Sequence, residues 1–335
     1  MIEIVDKDVW AQELMSMNHD FHVLFESQDF TDELNQPVLL KFTHNEKVIL
    51  LPLIKRKINN SEYCDFTSVY GYAGPMVNFN CCEDELITLY QKLLLKYFKE
   101  QKTVSVFSRF HPLLDQKNIL NGFGEIINLS NTVSIDLTLP LNEQRKQFRK
   151  GVKSDLSKLR KRKLIVEEVA PIENIDAFIS IYNENMDRVG ATDNYYFSKV
   201  YYENLFGSKS VDARLFFVFE KGIPISASIF VFTKKIIQYH LSGTRTNHLQ
   251  NSPVRLLLDH VRELGTNLGF EYLHLGGGVG ASEDALFNFK AGFSKVRHDF
   301  SVWKFIVDID KYSDLVESSG INFESDFFPL YRALD

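Results

Sequence analysis

Cysteine is scarce in this 335-residue chain: Cys64, Cys81 and Cys82 are the whole complement. None belongs to a C-x-x-C pair, and two adjacent cysteines are badly placed to bridge each other. A disulfide scaffold is therefore not expected, and a reducing, cytoplasmic setting is. Long apolar runs are missing too. The longest, "VILLPLI" and "LFFVF", fall far short of a bilayer span, so no transmembrane segment is expected. The first residues, "MIEIVDKDVW", have neither the basic nor the apolar region of a secretion signal. There is no G-x-S-x-G, no H-E-x-x-H and no Walker P-loop, and the nine histidines are scattered. Neither a hydrolase constellation nor a metal site is indicated. Positive charge is not in surplus: the net charge of −6 excludes a global footprint for nucleic acid, so any anion site must be local.

What is present is the composition of an ordinary globular protein, 44% hydrophobic and 24% charged, long enough for two domains. The second half reads most clearly. "LIVEEV" (164–169) is β-rich. In "IENIDAFISIYNENMDRVG" (172–190), Ile175, Phe178, Ile179 and Tyr182 share a helical face and Gly190 offers a stop. A short helix over "YFSKVYYENLF" precedes three strands, "DARLFFVFE", "ISASIFVF" and "IIQYHLSG", joined by tight turns as a meander. The polar loop "TRTNHLQNS" then leads to a helix over 254–269, with Ser252 as its expected N-cap and Pro253 at its first position. "EYLHL" reads as a strand, "EDALFNFKAG" as a helix, and "RHDFSVWKFIVDI" as a closing strand. The order is β-α-α-β-β-β-α-β-α-β.

The first half repeats this more loosely: a hairpin and third strand over 38–69, a helix over 83–101, a strand at 103–108, a helix over 112–120 and a strand at 131–137. The repetition lies in element order, and two related α/β domains in tandem are expected. Between them, residues 141–163 carry Leu141, Phe148, Val152, Leu156 and Leu159 on one stripe, among ten Lys and Arg from Arg145 to Lys163. This reads as a single basic amphipathic helix. Its charge suits either a solvated face or a phosphate-bearing partner, including peripheral contact with an anionic membrane.

Three local features are candidates for chemistry. Gly276, Gly278 and Ala281 match G-x-G-x-x-A, yet a meander precedes them, too few residues follow, and no acidic residue stands where a ribose ligand belongs. The glycines are better read as room for a sharp turn or for a close approach of ligand to backbone. Lys290 lies on a helix whose Leu286, Phe289 and Phe293 should face the core, so its cation either snorkels to solvent or charges a pocket. Arg245, His248, Gln250, Asn251 and Ser252 precede a helix N-terminus, where anions are favoured, though a plain capping loop fits as well.

The element order resembles the GNAT acyltransferase fold. "FTSVYGYAGP" (66–75), "MDRVGA…YYFSKVYYENL" (186–205), "YHLSGT…NSP…LLLDHVRELGTNLGFEYLHLGG" (239–277) and "ALFNFKAGFS" (285–294) occur in an order similar to that of the Fem-type aminoacyltransferases. These are tandem-GNAT enzymes that build peptidoglycan cross-bridges. The resemblance implies an α/β fold with mixed sheets and two GNAT-like domains, 1–137 with 307–335 and 138–306, the second opening with the basic helix 141–163. It implies a role for Lys290 in catalysis or phosphate binding, and ligand contacts from Arg188 and Tyr239. The usual GNAT pyrophosphate signature is replaced by "HLQNSP", and no long two-helix insertion follows the first domain.

The expected activity is therefore amide formation, in the cytoplasm, between an activated acyl or aminoacyl group and an amine on a cell-envelope or polysaccharide precursor. Lys290 is the expected catalytic cation. Arg188, Tyr239, Asn251, Ser252, Gly276, Gly277 and Gly278 are expected at the substrate, with backbone N–H groups of the glycines meeting the oxyanion. Asp284, Tyr239 and His240 are candidates for the base. No metal or resident cofactor is expected. The co-substrate would be an acyl-CoA, an acyl carrier protein or an aminoacyl-tRNA, and the acceptor a phosphate-bearing small molecule or lipid-linked precursor. A non-catalytic protein holding an anionic glycan or lipid precursor is the alternative of another class.

Overall fold

The computed structural model describes residues 1–27, 35–79, 83–114, 116–250, 252–320 and 326–333. The chain divides into two compact units, residues 1–129 with 299–335, and residues 130–298, and both divisions fall inside strands.

Unit 1 holds β1 (Ile2–Ile4), α1 (Lys7–Leu14), β2 (Asn35–His44), β3 (Lys47–Lys57), β4 (Cys64–Thr67), β5 (Met76–Val77), α2 (Asp84–Glu100) and β6 (Thr103–Arg109). Its sheet runs β1-β2-β3-β4 antiparallel, then β6 parallel to β4. A strand from far along the chain, β13 (Arg297–Ile306), closes it antiparallel to β6. Leu86, Tyr90, Leu94 and Phe98 recur at helical spacing on α2 and bury against Val38, Leu40, Leu51 and Phe66 of the sheet. Residues 112–120, expected as a helix, form only a single 3₁₀ turn at Lys117–Leu120.

Unit 2 begins within β7 (Glu125–Asp136), followed by α3 (Leu141–Lys146), α4 (Lys150–Lys161), β8 (Ile165–Val169), α5 (Pro171–Val189) and α6 (Lys199–Gly207). The meander β9 (Asp212–Glu220), β10 (Ile223–Thr233) and β11 (Ile236–Thr244) follows, then α7 (Val254–Leu268), β12 (Tyr272–Gly276) and α8 (Ala285–Lys290). The sheet runs β8-β9-β10-β11 antiparallel, β12 parallel to β11, and β7 antiparallel to β12. Strand for strand this is the order of unit 1, so the repeat expected from element order is present in the pairing itself. After β13 the chain ends with α9 (Ile309–Ser319) and a short C-terminal turn.

The expected basic helix over 141–163 is two helices. At Gln147–Arg149 the chain turns away from helical bonding: Arg149 N donates to the Gly292 carbonyl at 2.8 Å, and Gln147 Oε1 accepts from Ser294 and Lys295. Tertiary partners thus outbid the local helix. The apolar stripe survives the break: Phe148, Val152, Leu156 and Leu159 are all buried in the unit 2 core. Helix α7 begins at Val254, one residue after the Pro253 expected as its first position. Ser252 makes no capping bond and takes a left-handed φ of 52°, and Pro253 stands at the cap.

Candidate functional site

The parallel pair β11–β12 sets up the site. Pairing covers only Ile236–Gln238 against Tyr272–His274, where Gln238 Oε1 also meets His274 Nδ1 at 2.7 Å. Beyond that point β11 runs on to Thr244 while β12 ends at Gly276, so the two strands part. Their neighbours enforce the parting. The register of β10 on β11 shifts between Ile229 and Phe230, opposite His240, a β-bulge that re-aims the residues around it. On the other side β12 slips against β7 between His274 and Gly276, and Gly276 takes a φ of +78°.

Gly243, further along β11, admits the backbone of α5: a Cβ there would meet the Ile181 carbonyl oxygen at 2.7 Å. That close approach brings the aromatic face of α5 and α6 against the strand. Tyr201, on α6 and stacked on Phe197, bonds His240 Nε2 through its hydroxyl at 2.6 Å. Burial raises the Tyr201 hydroxyl well above the ordinary phenol range, so it keeps its proton; it donates to His240 Nε2 in the tautomer that carries the imidazole proton on Nδ1.

Lys290 stands at the end of β12. Its side chain is only 9% exposed, and its Nζ donates to the Gly277 carbonyl at 2.6 Å. Burial pushes the ammonium down to about 8, with the Asp284 carboxylate opposing the fall. The snorkelling alternative is thereby overturned. Of the three residues expected to face the core, Phe293 is buried and Phe289 packs against it, whereas Leu286 is exposed and Phe287 is buried in its place. Asp284 caps α8, Oδ1 accepting from Phe287 N at 2.8 Å and Oδ2 from Val279 N at 3.2 Å. Gly278 is needed for this fold-back, because a Cβ on it would lie 2.0 Å from the Ser282 carbonyl oxygen and 2.4 Å from Asp284 Oδ1.

The other expected site residues fall in two groups. Gly276, Gly277 and Gly278 are drawn together with Lys290, whereas Tyr239 is buried against Phe230 and bonds Ser242, burial holding its hydroxyl up at about 12. Arg188 is exposed and bonds Asn185 of its own helix. Ser252 sits in the polar loop, and Asn251 lies outside the described residues. That loop's basic side chains are engaged: Arg245 Nη1 pairs with Glu184 at 2.9 Å, and His248 Nδ1 lies 3.2 Å from Glu220, which Arg162 also grips. Sequence reasoning missed Tyr201 because its partner, His240, comes from a strand 39 residues away.

The geometry defines a class. Residues 146–290 match the family model described as acetyltransferase (GNAT) domain. Unit 2 has that fold, unit 1 repeats its strand order, and the chain is an α/β protein of two tandem GNAT-like domains. Among solved structures it is similar to FemX, with a TM-score of 0.73 at 13% identity, covering 93% of this chain and 99% of FemX. It is also similar to a conserved protein of unknown function from Bacteroides thetaiotaomicron (TM-score 0.61, 9% identity, 91% and 100% covered). L-PGS from Bacillus licheniformis is a third (0.58, 13%, 90% and 92%). At these identities the likeness is one of fold. No curated protein matches. No helix among the described residues is long and apolar enough to cross a membrane.

Proposed function

We propose that this chain is an N-acyltransferase of the Fem type, joining an activated aminoacyl or acyl group to an amine on a phosphate-bearing or lipid-linked cell-envelope precursor. The observation that carries the reading is the buried Lys290 cation on the Gly277 carbonyl, at the end of a strand that has just parted from its parallel neighbour. The tandem fold shared with FemX and L-PGS supports the choice of substrate class.

The chemistry asks for little covalent work from the protein. The amine nitrogen bonds to the acyl carbon, the acyl–oxygen or acyl–sulfur bond breaks with its electron pair leaving on oxygen or sulfur, and the proton the amine sheds is returned to that atom, which departs as alcohol or thiol. Lys290 supplies positive charge where negative charge develops, with backbone N–H groups of Gly276 to Gly278 as neutral donors. Of the candidate bases, Asp284 spends both oxygens on backbone N–H groups, and Tyr239 is held protonated. His240 remains. The amine proton passes to Tyr201 Oη as the Tyr201 proton moves to His240 Nε2, so no buried phenolate forms.

An aminoacyl ester donor is favoured over acyl-CoA because "HLQNSP" replaces the usual pyrophosphate signature, and its His248 and the preceding Arg245 already face Glu220 and Glu184. The test is a transfer assay with charged tRNAs and acyl-CoAs against amine-bearing envelope precursors, read by product mass. Transfer from tRNA that is lost in Lys290→Ala is expected. Ligand binding with no transfer from any donor would instead identify a non-catalytic binding protein.

A further inference from the structure

Away from this site, α3 and α4 form a groove of about 460 Å³ lined by Arg145, Lys153, Ser157, Arg160 and Lys161. Four cations facing one groove repel each other, and flexible surface side chains would ordinarily spread. Here three of them are held: Lys153 Nζ donates to the Lys146 carbonyl at 3.1 Å, and Asp259 holds the two arginines. Asp259 of α7, 2% exposed, accepts from Arg160 Nη2 at 2.6 Å through Oδ2, with Arg145 Nη2 3.7 Å from the same oxygen. Its other oxygen is taken by Arg262, fully buried, which bonds Oδ1 twice, at 3.0 and 2.8 Å. Arg262 is itself fixed by Gln144 Oε1 at 2.9 Å and by the face of Phe148. A buried carboxylate clamped by a buried guanidinium thus orients the two groove arginines, so less ordering remains to be done when an anion arrives.

We propose that this groove binds a phosphate ester or diphosphate group. Its volume is that of a small-molecule site. Two oriented guanidinium groups match the planar, bidentate geometry of phosphate oxygens, while Lys153, Lys161 and the Ser157 hydroxyl add point charge and a further donor. The cations outnumber the carboxylates, Asp259 and Glu263, that reach them. With Arg262 counted, five cations face two carboxylates, so a surplus of positive charge remains for an anion with two or more negative charges to offset. The inference stands on α3, α4 and α7 alone and is independent of the transferase reading.

Inorganic diphosphate is titrated calorimetrically into the full chain, and vesicles of phosphatidylcholine with and without phosphatidylglycerol are tested by co-sedimentation. Wild type is compared with Lys153→Glu/Lys161→Glu and with Lys209→Glu, an exposed charge change in the segment that follows α6. Loss of two charge-assisted contacts should weaken binding about tenfold or more in the double variant, and Lys209→Glu should bind like wild type. Diphosphate binding lost in the double variant supports a soluble ligand, and lost vesicle binding supports a lipid headgroup. The proposal is overturned if neither probe binds, if the double variant binds unchanged, or if only an RNA oligonucleotide is held. Unaltered thermal unfolding of the double variant keeps loss of folding out of the reading.

Discussion

The Lys290 ammonium lies 2.6 Å from the Gly277 carbonyl oxygen, 13 residues back along the chain. A turn containing three glycines brings the two together, and the bond ties the end of β12 to the last turn of α8. If Lys290 acts as a cation, Lys290→Ala should cut kcat/KM by about a hundredfold or more, the size of other lost electrostatic contacts to a developing charge. Lys290→Arg should retain part of the activity only if the pocket admits the larger fork. The pH profile separates roles: with its ammonium pushed down to about 8, a required cation makes transfer fall as pH rises through that value. A profile that rises there instead identifies Lys290 as a base.

The same burial has a signature in stability. Folding lowers the Lys290 value from its ordinary 10.5 to about 8, so below pH 8 the folded state bears the full cost of a buried charge. Between 8 and 10.5 the unfolded chain still holds the proton that the folded chain has released, and stability rises with pH. Against Lys290→Met, the wild type should gain up to about 3 kcal/mol across that window. Denaturant unfolding of both proteins from pH 7 to 10.5 measures it. A constant difference between them would mean that the side chain is solvated.

Gly278 and Gly280 should behave oppositely. Gly278 has an ordinary extended backbone, yet an added Cβ collides with the Ser282 carbonyl and the Asp284 carboxylate. Gly278→Ala must therefore break the Asp284 cap or move α8, costing about 2 kcal/mol or more. Gly280 has a left-handed φ of +58° with open space around it, so Gly280→Asn should cost under about 0.5 kcal/mol. Thermal unfolding of the pair checks whether close approach or φ is the reason for each glycine.

Most of the fold was legible because local patterns and tertiary packing agree in it. The strands β9, β10 and β11 are apolar runs with tight turns between them, and α7 carries its stripe at helical spacing up to Gly269, which takes the left-handed cap at φ +81°. Legibility failed where a distant partner decides. Nothing near Gln147 announces that Gly292 and Ser294 will capture its segment and split the basic helix. Lys290 was visible as a charge among aromatics, but its burial depends on Phe287 rather than Leu286 turning inward, a phase that a six-residue helix is too short to fix. Asp259 and Arg262 occupy ordinary i, i+3 positions on α7. Only the packed structure shows that the pair orients arginines from two other helices.

Tyr201 and His240 give the sharpest test of the proton route. The hydroxyl and imidazole are 2.6 Å apart, and burial keeps the phenol protonated; the relay uses the tautomer in which His240 Nε2 carries the lone pair. Tyr201→Phe removes the relay while leaving the ring stacked on Phe197, so substrate binding and folding should hold. The expected result is a fall in kcat of about 10²–10⁴-fold with KM little changed. His240→Gln should cause a loss of similar size. Because the two groups act in one relay, the double variant should be little worse than either single change. If Tyr201→Phe turns over normally while His240→Gln does not, His240 takes the proton directly. If both turn over normally, the proton leaves by water and the pair only packs α6 against β11.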